Sequence, residues 1–229
     1  MKLSNSEKQN YWKKTFIFED FFQKILFNNR RKILKIFDSI IQVKRKYSIL
    51  DVGASPLELK SENIFLKKFK RHKKLTCLSN QDLGPIKRSF LNFIYVLGDA
   101  RNMKFKDNSF DLVHSNATIE HVGSDKMQLK FISECLRVAR KFVFITTPNK
   151  YFPIEFHTKI PFIHWLPHSY FNIILKLFGD NFFRHKRNLN LISYKKIKSY
   201  CKKLKIKNYM IFFNYFLFLK SNIILVIKK

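Results

Sequence analysis

The sequence is poor in the residues that would point to several common functions. It has only three cysteines, Cys77, Cys135 and Cys201, far apart and odd in number, so neither a disulfide framework nor a cysteine-based metal site is expected. They read as buried, reduced thiols of a cytoplasmic protein. Acidic residues number 16 against 45 lysines and arginines. The resulting charge of +29 favours phosphates or anionic lipid as partners. Arginine, the usual reader of bases, is nonetheless scarce beside lysine, so the charge reads as compositional drift before it reads as a nucleic-acid surface. No uncharged run reaches the length of a membrane span; the nearest, YMIFFNYFLFL at 209–219, is too short. The first residues, MKLSNSEKQNYWKKTF, contain no apolar signal core, so no secretory leader is expected. With only five glycines and six prolines in 229 residues, one of each in a single bend, ILDVGASP at 49–56, demands a reason.

What is present is an alternation of short apolar runs and helical segments. Aromatic and basic residues at helical spacing over 7–46 predict one or two amphipathic helices, broken near Asn28 and Asn29. YSILDVG, KKLTCLSN, FIYVLGDA, SFDLVHSNA and KFVFITTPN predict five strands. LELKSENIFLKKFKR predicts a helix after the first of them, with Pro56 in its first turn. SDKMQLKFISECLRVAR predicts another, capped by Ser124, with Met127, Phe131, Cys135 and Val138 on one face. Residues 150–190, with three prolines and many aromatics, read as an insertion over the site. SYKKIKSYCKKLKI predicts a helix, and YMIFFNYFLFLKSNIILVIKK a closing hairpin that turns at Ser221 and Asn222.

This order implies an α/β fold with a mostly parallel sheet covered on both faces. Such sheets bind ligands beyond the carboxyl ends of their strands, near the topological switch point. Asp51 and Gly53, Gly98 and Asp99, His114 to Asn116, and Thr147 to Asn149 all fall at those ends.

At ILDVGASP, GDARNMKFKDNSFDLVHSNATIEHVGSDKMQLKFISECLRVARKFVFITTPN and PIEFHTKIPFIHWLP the chain resembles the class I S-adenosylmethionine-dependent methyltransferases, methyltransferase type 11 group, over roughly residues 47–205. The resemblance implies a Rossmann-like, seven-stranded sheet with an antiparallel C-terminal hairpin. It divides the chain into an N-terminal helical cap, 1–46, and a methyltransferase domain, 47–229. S-adenosyl-L-methionine is then the expected cofactor. Asp51, Gly53, Ala54 and Ser55 would hold its methionyl tail, with helix N–H groups following the bend. Asn80 would meet the ribose, Asp99, Ala100 and Arg101 the adenine, and Asn116 the sulfonium end. Two departures stand out: Ala54-Ser55-Pro56 replaces further glycines, and no acid ends the second strand. The catalytic candidates are His157 first, then His121 and Glu155, with His164 and His168 as other histidines of the same region. No resident metal is expected.

The function expected is methyl transfer to a small-molecule, lipid or glycan acceptor, on oxygen. RNA methylation, suggested by the charge, and a non-catalytic cofactor-binding scaffold, suggested by the two departures, are the alternatives. The basic and aromatic residues of 7–46 read first as an amphipathic cap packed on the sheet, with peripheral contact at the inner face of a membrane as the alternative.

Overall fold

The computed structural model describes residues 19–229. The readings made on residues 1–18 lie outside that range. A long helix α1 (Glu19–Ile40) comes first, then β1 (Ile49–Val52), a short α2 (Ile64–Lys68), β2 (Leu75–Ser79), a short α3 (Gly84–Lys87), β3 (Ile94–Leu97) and β4 (Phe110–Asn116). One 3₁₀ turn (Ile119–His121) leads into α4 (Asp125–Val138) and β5 (Ala139–Pro148). The inserted segment carries a second 3₁₀ turn (Ile163–Trp165) and α5 (His168–Leu177). The chain closes with α6 (Tyr194–Lys203), β6 (Tyr209–Phe216) and β7 (Leu219–Lys228).

The seven strands form one sheet in the order β3-β2-β1-β4-β5-β7-β6. All neighbours run parallel except β7, which is antiparallel to both β5 and β6. This is the mostly parallel, hairpin-closed sheet expected from the sequence. The order reverses between β1 and β4, which makes their carboxyl ends the switch point.

The sheet is buried on both faces because its central strands are apolar at successive positions. Leu50, Val113, Val143, Ile145, Ile223 and Leu225 face one layer with Phe131, Cys135, Ile197 and Cys201 from α4 and α6. Ile49, Leu112, Phe144, Ile224 and Val226 face the other with Phe65 of α2 and Ile33 and Phe37 of α1. All three cysteines are free and buried. The insertion has its own small core of Phe171, Leu175, Phe183 and Leu189. Among the described residues no helix is long and apolar enough to cross a membrane.

Four local expectations are corrected. Helix α1 runs unbroken through Asn28 and Asn29. Buried Asn29 donates its side-chain amide to Asn222 Oδ1 at 2.7 Å and receives bonds from Asn214 and Ser221, so it is a satisfied interior amide, not a helix stop. The same network displaces the hairpin turn. Ser221 and Asn222 lie buried inside β7, and the chain reverses at Leu217 and Phe218, both at positive φ. The helix expected to follow the first strand begins only at Ile64 and spans five residues. Pro56 is therefore in the irregular loop that precedes the helix, not in its first turn. Phe131, Cys135 and Val138 of α4 are buried as expected, whereas Met127 is 40% exposed. Ser124 caps this helix by accepting from the Met127 N–H.

Candidate active site

A cleft opens at the switch point, between the carboxyl ends of β1 and β4 and the wall made by α1. Asp51, Gly53, Ala54, Ser55 and Asn116, all expected cofactor contacts, line it together. Arg30 from α1 and Glu62, Asn63 and Phe65 from the β1–α2 region complete it. Gly53 is obligatory: its φ is +89°, and a Cβ there would lie 2.1 Å from Thr118 Oγ1. Thr118 accordingly packs on the bend, which joins the β1 loop to the segment after β4. Asn63 then sets the loop: its side chain accepts from the Ser55 N–H at 3.1 Å and donates to the Ser55 carbonyl at 2.8 Å.

Asp51 and His114 stand in register on adjacent strands. Asp51 Oδ1 lies 2.5 Å from His114 Nδ1, and both side chains are buried. Phe65 stacks on the imidazole at 3.6 Å between centroids, and Phe144 flanks it. One Asp51 oxygen is thus committed to the wall of the cleft.

Two other expected contact groups sit on neighbouring strand ends, outside the lining of this cleft. Asn80 is exposed just after β2. Asp99, after β3, is clamped by Arg101, whose Nη2 lies 2.7 Å from Oδ2 and whose backbone N–H donates to Oδ1 at 2.8 Å. These hydrogen bonds hold the Asp99 carboxyl below its ordinary range. Arg101 also donates to the Val122 carbonyl, fastening the β3 end to the turn after β4. Ala100 follows as backbone between the two.

The catalytic candidates do converge. His121 Nε2 and His157 Nε2 are 3.0 Å apart, and His157 Nδ1 is 2.5 Å from Glu155 Oε1. Glu155, almost fully buried, also accepts from the backbone N–H groups of His157 and Thr158. His121 Nδ1 lies 2.7 Å from the Asn188 carbonyl, which fixes that nitrogen as the one carrying hydrogen in the neutral ring. Burial pushes the His121 ring down to about 3. Burial acts on His157 in the same direction, but the Glu155 carboxylate and its hydrogen bond outweigh it and carry this imidazole above its ordinary value. Glu155 itself, pulled down by the His157 charge and by its donors against the effect of burial, falls to about 2. With hydrogen on Nδ1, His121 Nε2 is the acceptor toward His157 Nε2.

Glu120, the neighbour of His121, is a residue of this region outside the expected site residues. It is fully buried. Thr147 donates to its Oε2 at 3.0 Å, while its Oε1 has no hydrogen-bond partner. Burial raises this carboxyl to about 7. Thr146 donates to Asn116 Oδ1 and Thr147 to Glu120, so adjacent residues at the end of β5 hold the cleft and the histidine cluster respectively. His164 turns inward, with Nε2 2.9 Å from the Phe152 carbonyl, and exposed His168 opens α5; neither joins the cluster. Arg30 and Asn63 had no local signal, because each acts across a loop or from a separate helix.

A methyltransferase-domain family model matches residues 70–144. That span holds Asn80, Asp99, Ala100, Arg101, Asn116 and His121, and it is narrower than the resemblance read over 47–205. A SAM-dependent methyltransferase from Aquifex aeolicus is structurally similar at a TM-score of 0.59 and 15% identity, over 99% of each chain. One from Archaeoglobus fulgidus has a TM-score of 0.58 and 16% identity, over 93% of this chain and 99% of its own. Haemonchus contortus phosphoethanolamine N-methyltransferase 2, in complex with S-adenosyl-L-methionine, has a TM-score of 0.56 and 18% identity, over 84% of this chain and 42% of its own. No curated protein matches the sequence. Strand order and structural likeness thus give the chain the fold of these methyltransferases, and the methyltransferase-domain match covers its central segment, residues 70–144.

Proposed function

We propose that the protein binds S-adenosylmethionine in the switch-point cleft and transfers its methyl group to an oxygen of a small-molecule, lipid or glycan acceptor. The observation that carries this reading is the convergence of Asp51, Gly53, Ala54, Ser55 and Asn116 on one cleft, joined through residues 116–121 to a histidine cluster. Asp51 offers a carboxylate to the methionyl ammonium. Asn116 lines the cleft and accepts from Thr146, the neighbour of the Thr147 that bonds Glu120, which supports its place beside the reacting sulfonium. Adenine and ribose extend along the ends of β2 and β3 toward Asn80, Asp99 and Ala100. Because Arg101 occupies the Asp99 carboxylate, adenine binding there either uses the backbone of Ala100 and Arg101 or draws Arg101 away.

Methyl transfer is an in-line displacement: the acceptor oxygen forms a bond to the methyl carbon as the carbon–sulfur bond breaks. The sulfonium is already a good leaving group, so alignment and exclusion of water supply much of the acceleration. The acceptor hydroxyl must also lose its proton. His121 and His157 both commit Nδ1 to fixed partners and turn Nε2 inward, the arrangement needed to meet that oxygen. Exposed apolar residues of the insertion, Trp165, Tyr170, Ile173, Leu177 and Phe178, beside Lys176, support a lipid or ring-bearing acceptor. The same residues support peripheral membrane contact.

Calorimetry with S-adenosylmethionine tests the cofactor half, with saturable one-to-one binding expected and an Asp51→Asn variant at least about tenfold weaker. A folded protein that binds no cofactor would sink it and favour the scaffold reading. Tritium transfer from labelled cofactor into fractionated cell extract tests the acceptor half. Label in the lipid or small-molecule fraction is expected; label in RNA alone would make the acceptor a nucleic acid.

A further inference from the structure

Glu120 Oε1 is a buried carboxylate oxygen with no hydrogen-bond partner, an arrangement that ordinarily costs free energy unless something occupies the place beside it. The imidazole nitrogen His121 Nε2 is 3.9 Å away, too far for a hydrogen bond. His157 Nε2 faces the same spot, and the three donor atoms all lie within 4.8 Å of one another. Two bonds of about 2.1 Å from imidazole nitrogens to one cation, set at about 90°, span about 3.0 Å, which is the separation of His121 Nε2 and His157 Nε2.

The surroundings match what metal-bound histidines require. Each ring needs its second nitrogen bonded to a carbonyl or carboxylate, which orients it and fixes the ligating atom as the other one. His121 has the Asn188 carbonyl at 2.7 Å, and His157 has Glu155 at 2.5 Å. Glu120 is likewise oriented, by Thr147 on its other oxygen and by the Asn190 N–H on its backbone carbonyl. The three ligands come from two places, a single turn after β4 and the insertion, so a cation would pin the insertion to the sheet.

We propose that Glu120 Oε1, His121 Nε2 and His157 Nε2 form a binding site for one divalent transition-metal ion. Two imidazoles and one carboxylate suit Zn²⁺, Mn²⁺, Fe²⁺ or Co²⁺, and three protein ligands leave coordination positions open. This goes against the metal-free site expected from the sequence. It rests on the reading of the cluster as the acceptor side, and deepens it: the open position takes the acceptor oxygen, holds it for in-line attack and favours its deprotonated form.

The test begins with protein stripped by chelator and dialysed. Titration with Co²⁺, followed by visible absorption, and with Zn²⁺, followed by calorimetry, is expected to show one ion per chain and a rise in melting temperature. Glu120→Gln keeps the shape of the buried side chain and is expected to weaken binding at least about tenfold, as is His121→Ala. Both variants are checked for folding by circular dichroism, and His168→Ala serves as a control that retains full affinity. Stoichiometric binding lost in both cluster variants supports the proposal. No binding, or binding equal in all variants, overturns it. Cofactor titration on the same stripped protein separates the two readings: if S-adenosylmethionine binds while no metal does, only the metal site falls, and if metal binds while the cofactor does not, only the cofactor reading falls.

Discussion

Two acid–histidine pairs with the same 2.5 Å contact serve different ends in this molecule. Asp51–His114 lies between adjacent strands, with one face of the imidazole covered by Phe65 and Phe144 nearby. The imidazole is flanked by the rings of Phe37, Phe65 and Phe144, so the pair braces the wall of the cleft. Glu155–His157 lies in an irregular insertion, and its histidine turns Nε2 to His121. The carboxylate there orients a nitrogen that remains directed at chemistry. What separates the two pairs is thus the surroundings of the imidazole, phenylalanine rings in one and a second histidine in the other, more than the length of the contact.

The sharpest way to break the comparison is His157→Ala. It is expected to lower methyl transfer on the order of 100-fold or more, while S-adenosylmethionine affinity measured by calorimetry changes by less than about threefold. Equal losses in both would show His157 to be a brace like His114. The reverse experiment is His114→Ala, which leaves Asp51 buried without its partner. A loss of about 1–3 kcal/mol is expected, read as a melting temperature lower by about 2–12 °C, together with weaker cofactor binding but unchanged transfer at saturating cofactor. Glu155→Gln comes next. It keeps the shape but weakens the orientation of His157, with transfer down about 10-fold. The smallest effect belongs to Phe65→Leu. Loss of the ring stacked on His114 should cost about 1 kcal/mol, seen as a melting shift of a few degrees with no change at the histidine cluster, which chemical-shift titration of His157 would report.

The elements that were legible in the sequence are those whose signal is local. The strands were readable because both faces of the sheet are buried, which makes each run apolar and leaves its polar residues at the carboxyl end. Helix α4 was readable because Ser124 and the Phe131, Cys135, Val138 stripe lie within one short segment. The hairpin turn and the intact α1 were misjudged for one shared reason. Asn29, Asn214, Ser221 and Asn222 look like turn and breaker residues singly, and only their meeting across 193 positions satisfies them as a buried network. The helix expected directly after the bend starts late because Asn63, the residue that opens α2, bonds back to Ser55 and holds the chain between them in a loop.

Taken alone, the chain determined its layered sheet, the fold family and the short bend at Gly53, since each depends on patterning within a few residues. Only the tertiary structure decided that Arg30 walls the cleft, that Arg101 occupies Asp99, and that Glu120, His121 and His157 share one point. Convergence of that kind depends on strand register and on where an insertion folds back, and neither leaves a periodic trace in the order of residues.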